Sequence, residues 1–296
     1  MPIWKQVLLN LYYYASYPVR WWNRCATISE ERVPIIVLYY HRIADDRANP
    51  WTISNRLFAR QIDWLGRRFE FISLEEAQRR IRRGLNHRPC VSITFDDGYA
   101  DNCRQAIPLL IKERIPCTYF ATLHNVLSGE PFSHDLVHGH APRLNTIEEL
   151  KEMAAAGIEI GAHTYTHADL GPITDRRLLH YEIVRAGEDL QRAIGHPVRY
   201  FAFPYGQYAN LSQEAFAEAD RAGYEAVCSA YGGFNAPGGD SFHLQRIAVN
   251  DTMIHLKNWV TGDPRKLFTP RFVYRREHCP AAQSSDVLHD ATIPGQ

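Results

Sequence analysis

The chain has no pair of cysteines at CxxC spacing. Its six cysteines (Cys25, Cys90, Cys103, Cys117, Cys228 and Cys279) are scattered over 296 residues, which argues against a disulfide framework. Cys90 and Cys117 lie in strand-like apolar runs and read as reduced core residues. Neither sign of charge is in excess, with Lys+Arg and Asp+Glu both 33. With no basic stripe and no DNA- or RNA-binding motif, nucleic acid is not an expected partner. No apolar run reaches the roughly twenty uninterrupted residues of a transmembrane helix. There is no glycine-rich nucleotide turn and no internal repeat. What remains is 45% apolar residues, ample for the core of one large domain with extensions.

Residues 3–22 are apolar and rich in Tyr and Trp, interrupted by Lys5, Gln6, Asn10, Ser16 and Arg20, with Pro18 as a helix breaker. Three readings stand: a helix packed on the outside of the domain, peripheral contact with a membrane surface, or a cleaved signal. The signal reading is poor, because the charged leader is Lys5 alone and no A-x-A site follows. The expected location is cytoplasmic or peripheral to the inner face of the membrane, with export left open.

From residue 33 strands and helices alternate. Residues 34–40 read as a buried strand and 55–69 as an amphipathic helix. Val91–Phe95 and Cys117–Ala121 are strands on either side of a helix over 101–113 whose start Pro108 marks. Residues 146–156 open on a capping-box spacing, Thr146-x-x-Glu149, and stop at Gly157. Ile158–Ala162 is a strand, 174–194 a long helix, Tyr200–Phe203 a strand, 211–222 a helix and Glu225–Ser229 a strand. Leu244–Val249 reads as one last strand, followed by a short helix to about 260. This is the pattern of an α/β fold, a distorted (β/α) barrel of mainly parallel strands forming a single catalytic domain over 33–265. An aromatic-rich extension covers 1–32. A C-terminal extension covers 266–296, polar and aperiodic from about 275, and reads as largely disordered.

Three segments carry chemistry. Thr94-Phe95-Asp96-Asp97-Gly98 places two adjacent carboxylates at a strand end. They repel each other, a cost that a bound cation removes by taking one of them as a ligand. His163-Thr164-Tyr165-Thr166-His167 follows a strand, so a loop must fold both imidazoles inward. One carboxylate and two imidazoles make a three-ligand metal set with open positions for water and substrate. The spare carboxylate is free to act as general base. Arg199-Tyr-Phe-Ala-Phe-Pro204-Tyr205-Gly206 offers a guanidinium able to pair with a buried carboxylate, and a shaped wall.

These segments, in this order and spacing over roughly 34–260, resemble the three motifs of the polysaccharide deacetylase family (carbohydrate esterase family 4, the NodB-homology domain). The resemblance implies a divalent metal, most often Zn2+ with Co2+ or Ni2+ as alternatives, and hydrolysis of the N-acetyl group of an amino sugar in a glycan or exopolysaccharide. Carried over by position, it makes Asp96 the general base and Asp97, His163 and His167 the metal ligands. It has Arg199 orient Asp96 and the Tyr205 N–H hold the oxyanion. The family's late Leu-x-His acid segment is not evident. Phe242-His243-Leu244-Gln245-Arg246-Ile247 instead is similar to a segment of the branch related to biofilm poly-N-acetylglucosamine deacetylases, in which the acid histidine comes early. Tyr39-Tyr40-His41 matches that early segment, so His41 is the expected general acid and His243 its rival.

A further group, His134, Asp135, His138 and His140, reads as a solvated loop near the mouth, with a second metal as the lesser alternative. Trp51, Tyr99, Tyr165 and Tyr205 are candidates to stack on sugar rings. Two other functions compete with glycan deacetylation. One is a deformylase or amidohydrolase acting on a lipid-linked amino sugar or small amide, separable by a substrate panel. The other is a non-catalytic glycan-binding protein, separable by metal content.

Overall fold

Strand β1 (Ile35–Tyr40), continuous in β-branched and aromatic residues, is buried along its whole length, as befits a parallel strand covered on both faces. The computed structural model that shows this describes residues 3–139, 141–263 and 269–275. Of the expected 266–296 extension only 269–275 are described, and there Phe272 stacks on Phe216. Cys279 and His140 lie outside the described residues.

The other strands are β2 (Arg42–Ile43), β3 (Thr52–Ile53), β4 (Glu70–Phe71), β5 (Cys90–Phe95), β6 (Cys117–Ala121), β7 (Glu159–Ala162), β8 (Tyr200–Ala202), β9 (Ala226–Cys228), β10 (His243–Leu244) and β11 (Ile247–Ala248). The helices are α1 (Ile3–Ala15), α2 (Tyr17–Ser29), α3 (Asn55–Gly66), α4 (Leu74–Arg83), α5 (Ala106–Lys112), α6 (Leu123–Ser128), α7 (Ser133–Val137), α8 (Ile147–Ala155), α9 (Arg176–Leu179), α10 (Ala186–Ile194), α11 (Gln213–Arg221) and α12 (Met253–Val260). Local sequence accounts for many of these boundaries. Thr146 and Glu149 form the reciprocal capping box that starts α8. Pro108 sits in the first turn of α5, where its missing N–H costs nothing. Pro18 likewise sits in the first turn of α2, so the N-terminal segment is two helices rather than one.

The main sheet runs β10-β9-β8-β7-β6-β5-β1-β11, with β4 paired to the lower part of β5. Every neighbouring pair is parallel. The stretch read from sequence as a single last strand is in fact two. Leu244 ends β10 at one edge of the sheet and Ile247 begins β11 at the opposite edge. Only Gln245 and Arg246 separate them, so the sheet must curl until its edges nearly meet. Asn235 fastens this seam: its side chain bonds the Gln245 N–H and C=O, and its backbone exchanges two hydrogen bonds with Ile35. The barrel is closed by covalent chain where no ladder closes it.

Alternation along the strands sorts the core. Ile36, Leu38 and Tyr40 face the helices, whereas Ile35 and Val37 face the inside of the curl with Phe120, Tyr200, Ala202 and Leu244. Helix α4 plugs the foot of the barrel with Leu74, Ala77 and Ile81, and Gln78 donates to the carbonyls of Glu225 and Ser241. The opposite end, where the strands finish, is left for the site, as expected of such barrels. Gly161 on β7 makes room for the Phe120 ring: a Cβ there would lie 2.4 Å from Phe120 Cδ1 and 3.1 Å from the Tyr200 carbonyl oxygen. Gly161→Ala is therefore expected to destabilise the protein by roughly 1–3 kcal/mol through overpacking. A lowered urea midpoint at unchanged slope checks this; an unchanged midpoint contradicts it.

Candidate metal centre and catalytic pocket

The site is assembled from the C-terminal ends of adjacent strands. Register pairs Tyr40 with Phe95, so His41 and Asp96 leave β1 and β5 side by side, and the Asp96 N–H donates to the Tyr40 carbonyl. Asp97 follows with φ 73°. Beyond β7, Thr164 and His167 also adopt left-handed backbone (φ 61° and 63°), and Tyr205 after β8 does the same at 58°. Four of the seven non-glycine residues with positive φ among those described thus lie in the three chemistry-bearing segments. Each costs of order 1–3 kcal/mol and turns a side chain inward that ordinary strand continuation would direct away.

The His163–His167 loop is held by a residue that sequence reasoning did not single out. Between α9 and α10 a π-helical turn, His180–Arg185, presents Glu182, and such turns recur at functional sites. The buried Glu182 carboxylate accepts from the Tyr165 and Thr166 N–H groups at 3.0 and 2.9 Å, and from the Thr166 hydroxyl at 2.7 Å. Both imidazoles consequently converge on Asp97. Asp97 Oδ1 lies 3.4 Å from His163 Nε2 and 3.3 Å from His167 Nε2. One ligand atom from each of the three residues falls within 4.8 Å of the others.

Asp97 Oδ1 is buried and accepts no well-directed hydrogen bond, so these lone pairs converge instead of pairing off. His163 Nδ1 donates to the Ala202 carbonyl at 2.8 Å, leaving Nε2 aimed at Asp97, the orientation a metal-ligating histidine needs. The three residues therefore fit a divalent ion. Burial pushes the Asp97 carboxyl up, but the facing His163 and His167 rings outweigh it and hold it well below the usual carboxylate range.

Asp96 is placed by Arg246, not by Arg199. Arg246 Nη1 and Nη2 donate to the two Asp96 carboxylate oxygens at 2.6 and 2.8 Å, both residues being almost wholly buried. The guanidinium also donates to the Ser229 carbonyl and the Thr94 hydroxyl, and lies over the Tyr39 and Phe120 rings. Arg199 immediately precedes β8 and is thus about 15 Å of extended chain away from the Pro204 end. It pairs with Glu159, Glu75 and Glu225 at the foot of the barrel. The sequence signal for Arg246 was a charge set between Leu244 and Ile247, which a reading as one continuous strand hid.

A cavity of about 280 Å³ opens above Asp96, Asp97, His163 and His167, walled by His41, Trp51, His134 and Tyr205. His41 is half-buried and makes ring contacts with Tyr39 and Trp51. Its rival His243 is elsewhere. The His243 Nδ1 donates to the Phe272 carbonyl, and Nε2 accepts from the Ser229 hydroxyl at 2.8 Å. Burial lowers this ring to a pKa of about 4, a neutral imidazole away from the cavity.

Of the other candidates, His134 does reach the cavity, stacked on Phe132, and burial lowers its pKa. Asp135 is turned away and accepts from Tyr99 and Asn49. Among the described residues the group around His134 and His138 forms no metal cluster. Trp51 and Tyr205 face the cavity, but Tyr99 is fully buried and Tyr165 packs on Tyr181. Neither of these two is available to a sugar.

The His243 assignment predicts a stability signature. An unfolded histidine takes its proton near pH 6.5, whereas the folded ring waits until about 4. His243 therefore supports the fold fully above pH 6.5, and up to roughly 3 kcal/mol is lost as pH falls to 4. Urea unfolding of His243→Gln should show a shallower decline over that window; an undiminished slope would assign the acid sensitivity elsewhere.

The family model described as polysaccharide deacetylase matches residues 83–227. Protein YxkH of Bacillus subtilis (strain 168) is 26% identical over 227 residues, 76% of this chain and 75% of the relative. The poly-beta-1,6-N-acetyl-D-glucosamine N-deacetylase of Staphylococcus aureus (strain MRSA252) is 25% identical over 220 residues, 71% of this chain and 72% of the relative. Among solved structures, IcaB from Ammonifex degensii superposes with a TM-score of 0.65 at 26% identity, covering 77% of this chain and 97% of that one. With the Asp97–His163–His167 cluster at the strand ends and the sequence motifs in order, these likenesses make the chain similar to the polysaccharide deacetylase family.

Proposed function

We propose that this protein is a metal-dependent deacetylase that removes N-acetyl groups from N-acetylglucosamine units of a glycan or exopolysaccharide. The observation that carries this reading is the complete constellation in one cavity: a ligand cluster, a second carboxylate held by a buried guanidinium, and a half-buried imidazole. The similarity to a poly-beta-1,6-N-acetyl-D-glucosamine deacetylase supports the substrate class. A volume of about 280 Å³ is at the small end for ligand sites. It suits one sugar ring and its acetamido arm, with the rest of a chain outside.

Asp97, His163 and His167 would hold a divalent ion, Zn2+ being the first candidate. Such an ion supplies Lewis acidity for the amide carbonyl and for water. Asp96 accepts the proton of the attacking water, its oxygens pinned by Arg246 so that little reorientation is needed. The N–H of Tyr205, a residue that lines the cavity, stabilises charge developing on the carbonyl oxygen. His41, on the neighbouring strand end, delivers a proton to the departing amine so that the C–N bond can break. Trp51 offers an apolar face to the sugar.

The test is acetate release from N-acetylglucosamine oligomers by protein stripped of metal and then resupplied with zinc, cobalt or nickel. Release should depend on metal and fall by at least about a thousandfold in Asp96→Asn. His41→Asn should lose about 10²–10⁴-fold on the oligomer, but far less on an activated acetanilide whose leaving amine needs no protonation. Equal losses on both substrates would remove His41 from the acid role. Tight metal binding without acetate release would point to another acyl group or a lipid-linked acceptor. Neither metal nor release would favour a non-catalytic glycan-binding protein.

A further inference from the structure

Helices α1 and α2 are amphipathic in the inverted sense. The inward side of the pair is polar and specific. Arg20, almost fully buried, donates to the Asn258 carbonyl at 2.6 Å, to Asn258 Oδ1 at 2.8 Å and to the Ser16 hydroxyl at 2.8 Å. Tyr12 donates to Asp263 at 2.8 Å. These contacts fix the pair to α12 and the turn after it. The outward side carries the apolar residues. Trp4, Val7, Leu8, Leu11 and Tyr14 form one stripe at helical spacing, and Tyr17, Trp21 and Ile28 continue it along α2 beside Val19 and Trp22.

Those ten residues are half of the twenty large hydrophobic side chains exposed among the described residues, and they come from 27 consecutive positions. Trp22 and Tyr14 are 70% exposed, and Trp4 and Leu11 60%. A contiguous surface of this kind marks an interaction site.

The charge of the segment selects the occupant. Between residues 1 and 29 the chain has no acidic residue, and with Arg20 turned inward its exposed charges are Lys5 and Arg24. A two-fold pairing of this face with a second copy would set like charges against each other with no carboxylate in the segment to answer them. Anionic lipid headgroups would neutralise the same charges. The five aromatics, apolar bodied with polar tips, are the residue types that favour the membrane–water boundary. Each helix has 13 residues, and no helix among the described residues is long and apolar enough to cross a membrane. We infer that the consecutive helices α1 and α2 dock the protein flat on an anionic lipid surface, with Trp4, Leu8, Leu11, Trp21 and Trp22 entering the headgroup layer. Lys5 shares a cleft with Trp51, whose indole also walls the catalytic cavity, so the lipid surface stands beside the mouth of the site.

The test is cosedimentation of the full chain with vesicles of phosphatidylcholine alone or mixed with phosphatidylglycerol, and it reads binding independently of any activity. Wild type should partition onto the phosphatidylglycerol vesicles about tenfold better than onto phosphatidylcholine alone. The triple variant Trp4→Ser, Trp21→Ser, Trp22→Ser should lose that binding by tenfold or more at an unchanged unfolding midpoint. Lys5→Gln with Arg24→Gln should erase the lipid preference. Wild type left in the supernatant with both vesicles overturns the proposal. So does wild type that sediments no better than the triple variant, or a dimer that the triple variant dissolves, which would make the face an interface between copies.

Discussion

The bidentate pair between Arg246 and Asp96 joins the fold to the chemistry. A buried ion pair contributes little net stability compared with apolar residues of the same shape, because both charges must leave water. This one is nevertheless surrounded by partners. The Ser229 carbonyl, the Thr94 hydroxyl and two aromatic faces share the desolvation cost of the guanidinium. Arg246 can occupy that place because the chain passes from one edge of the sheet to the other within two residues. Closing the sheet and orienting the carboxylate beside the Asp97–His163–His167 cluster are therefore a single structural event.

The rest of the site shows the same coupling of strain to position. Asp97, Thr164, His167 and Tyr205 adopt backbone conformations that non-glycine residues avoid. The surrounding packing must over-determine them. Glu182 does this for the histidine loop, and the Ala202 carbonyl does it for the His163 ring. A metal ion and protons would compete for the same three side chains. The depressed Asp97 carboxyl and the His163 ring, whose Nδ1 is committed to the Ala202 carbonyl, leave Asp97 Oδ1 and His163 Nε2 facing the place an ion would take.

Much of this was legible in the residues alone. Periodicity gave the strand–helix alternation, and local residue types gave the capping box of α8 and the placing of Pro108 near the start of α5, because each is decided by neighbours in sequence. The Asp-Asp and His-x-x-x-His segments declared their convergence through composition and their place at strand ends. Arg199 misled because the motif named it while strand length carries it to the far end of the barrel. Arg246 and Glu182 were missed because their roles exist only after closure: one needs the split between β10 and β11, the other a π-helical turn with no local signature. The N-terminal segment was expected to be a helix on the outside of the domain, a contact with a membrane surface or a cleaved signal. The structure fastens its two helices to α12 and the turn after it through Arg20 and Tyr12, with the apolar side outward.

The most direct test of the central claim is a double-mutant cycle on the seam, with Arg246→Met, Asp96→Asn and the double variant compared by urea unfolding. If closure and the carboxylate are coupled, Arg246→Met alone should cost about 3–5 kcal/mol by stranding the Asp96 charge. The double variant should recover much of that loss, giving a coupling of at least about 1.5 kcal/mol. If the two single losses simply add in the double variant, Arg246 and Asp96 act independently and the seam does not organise the site.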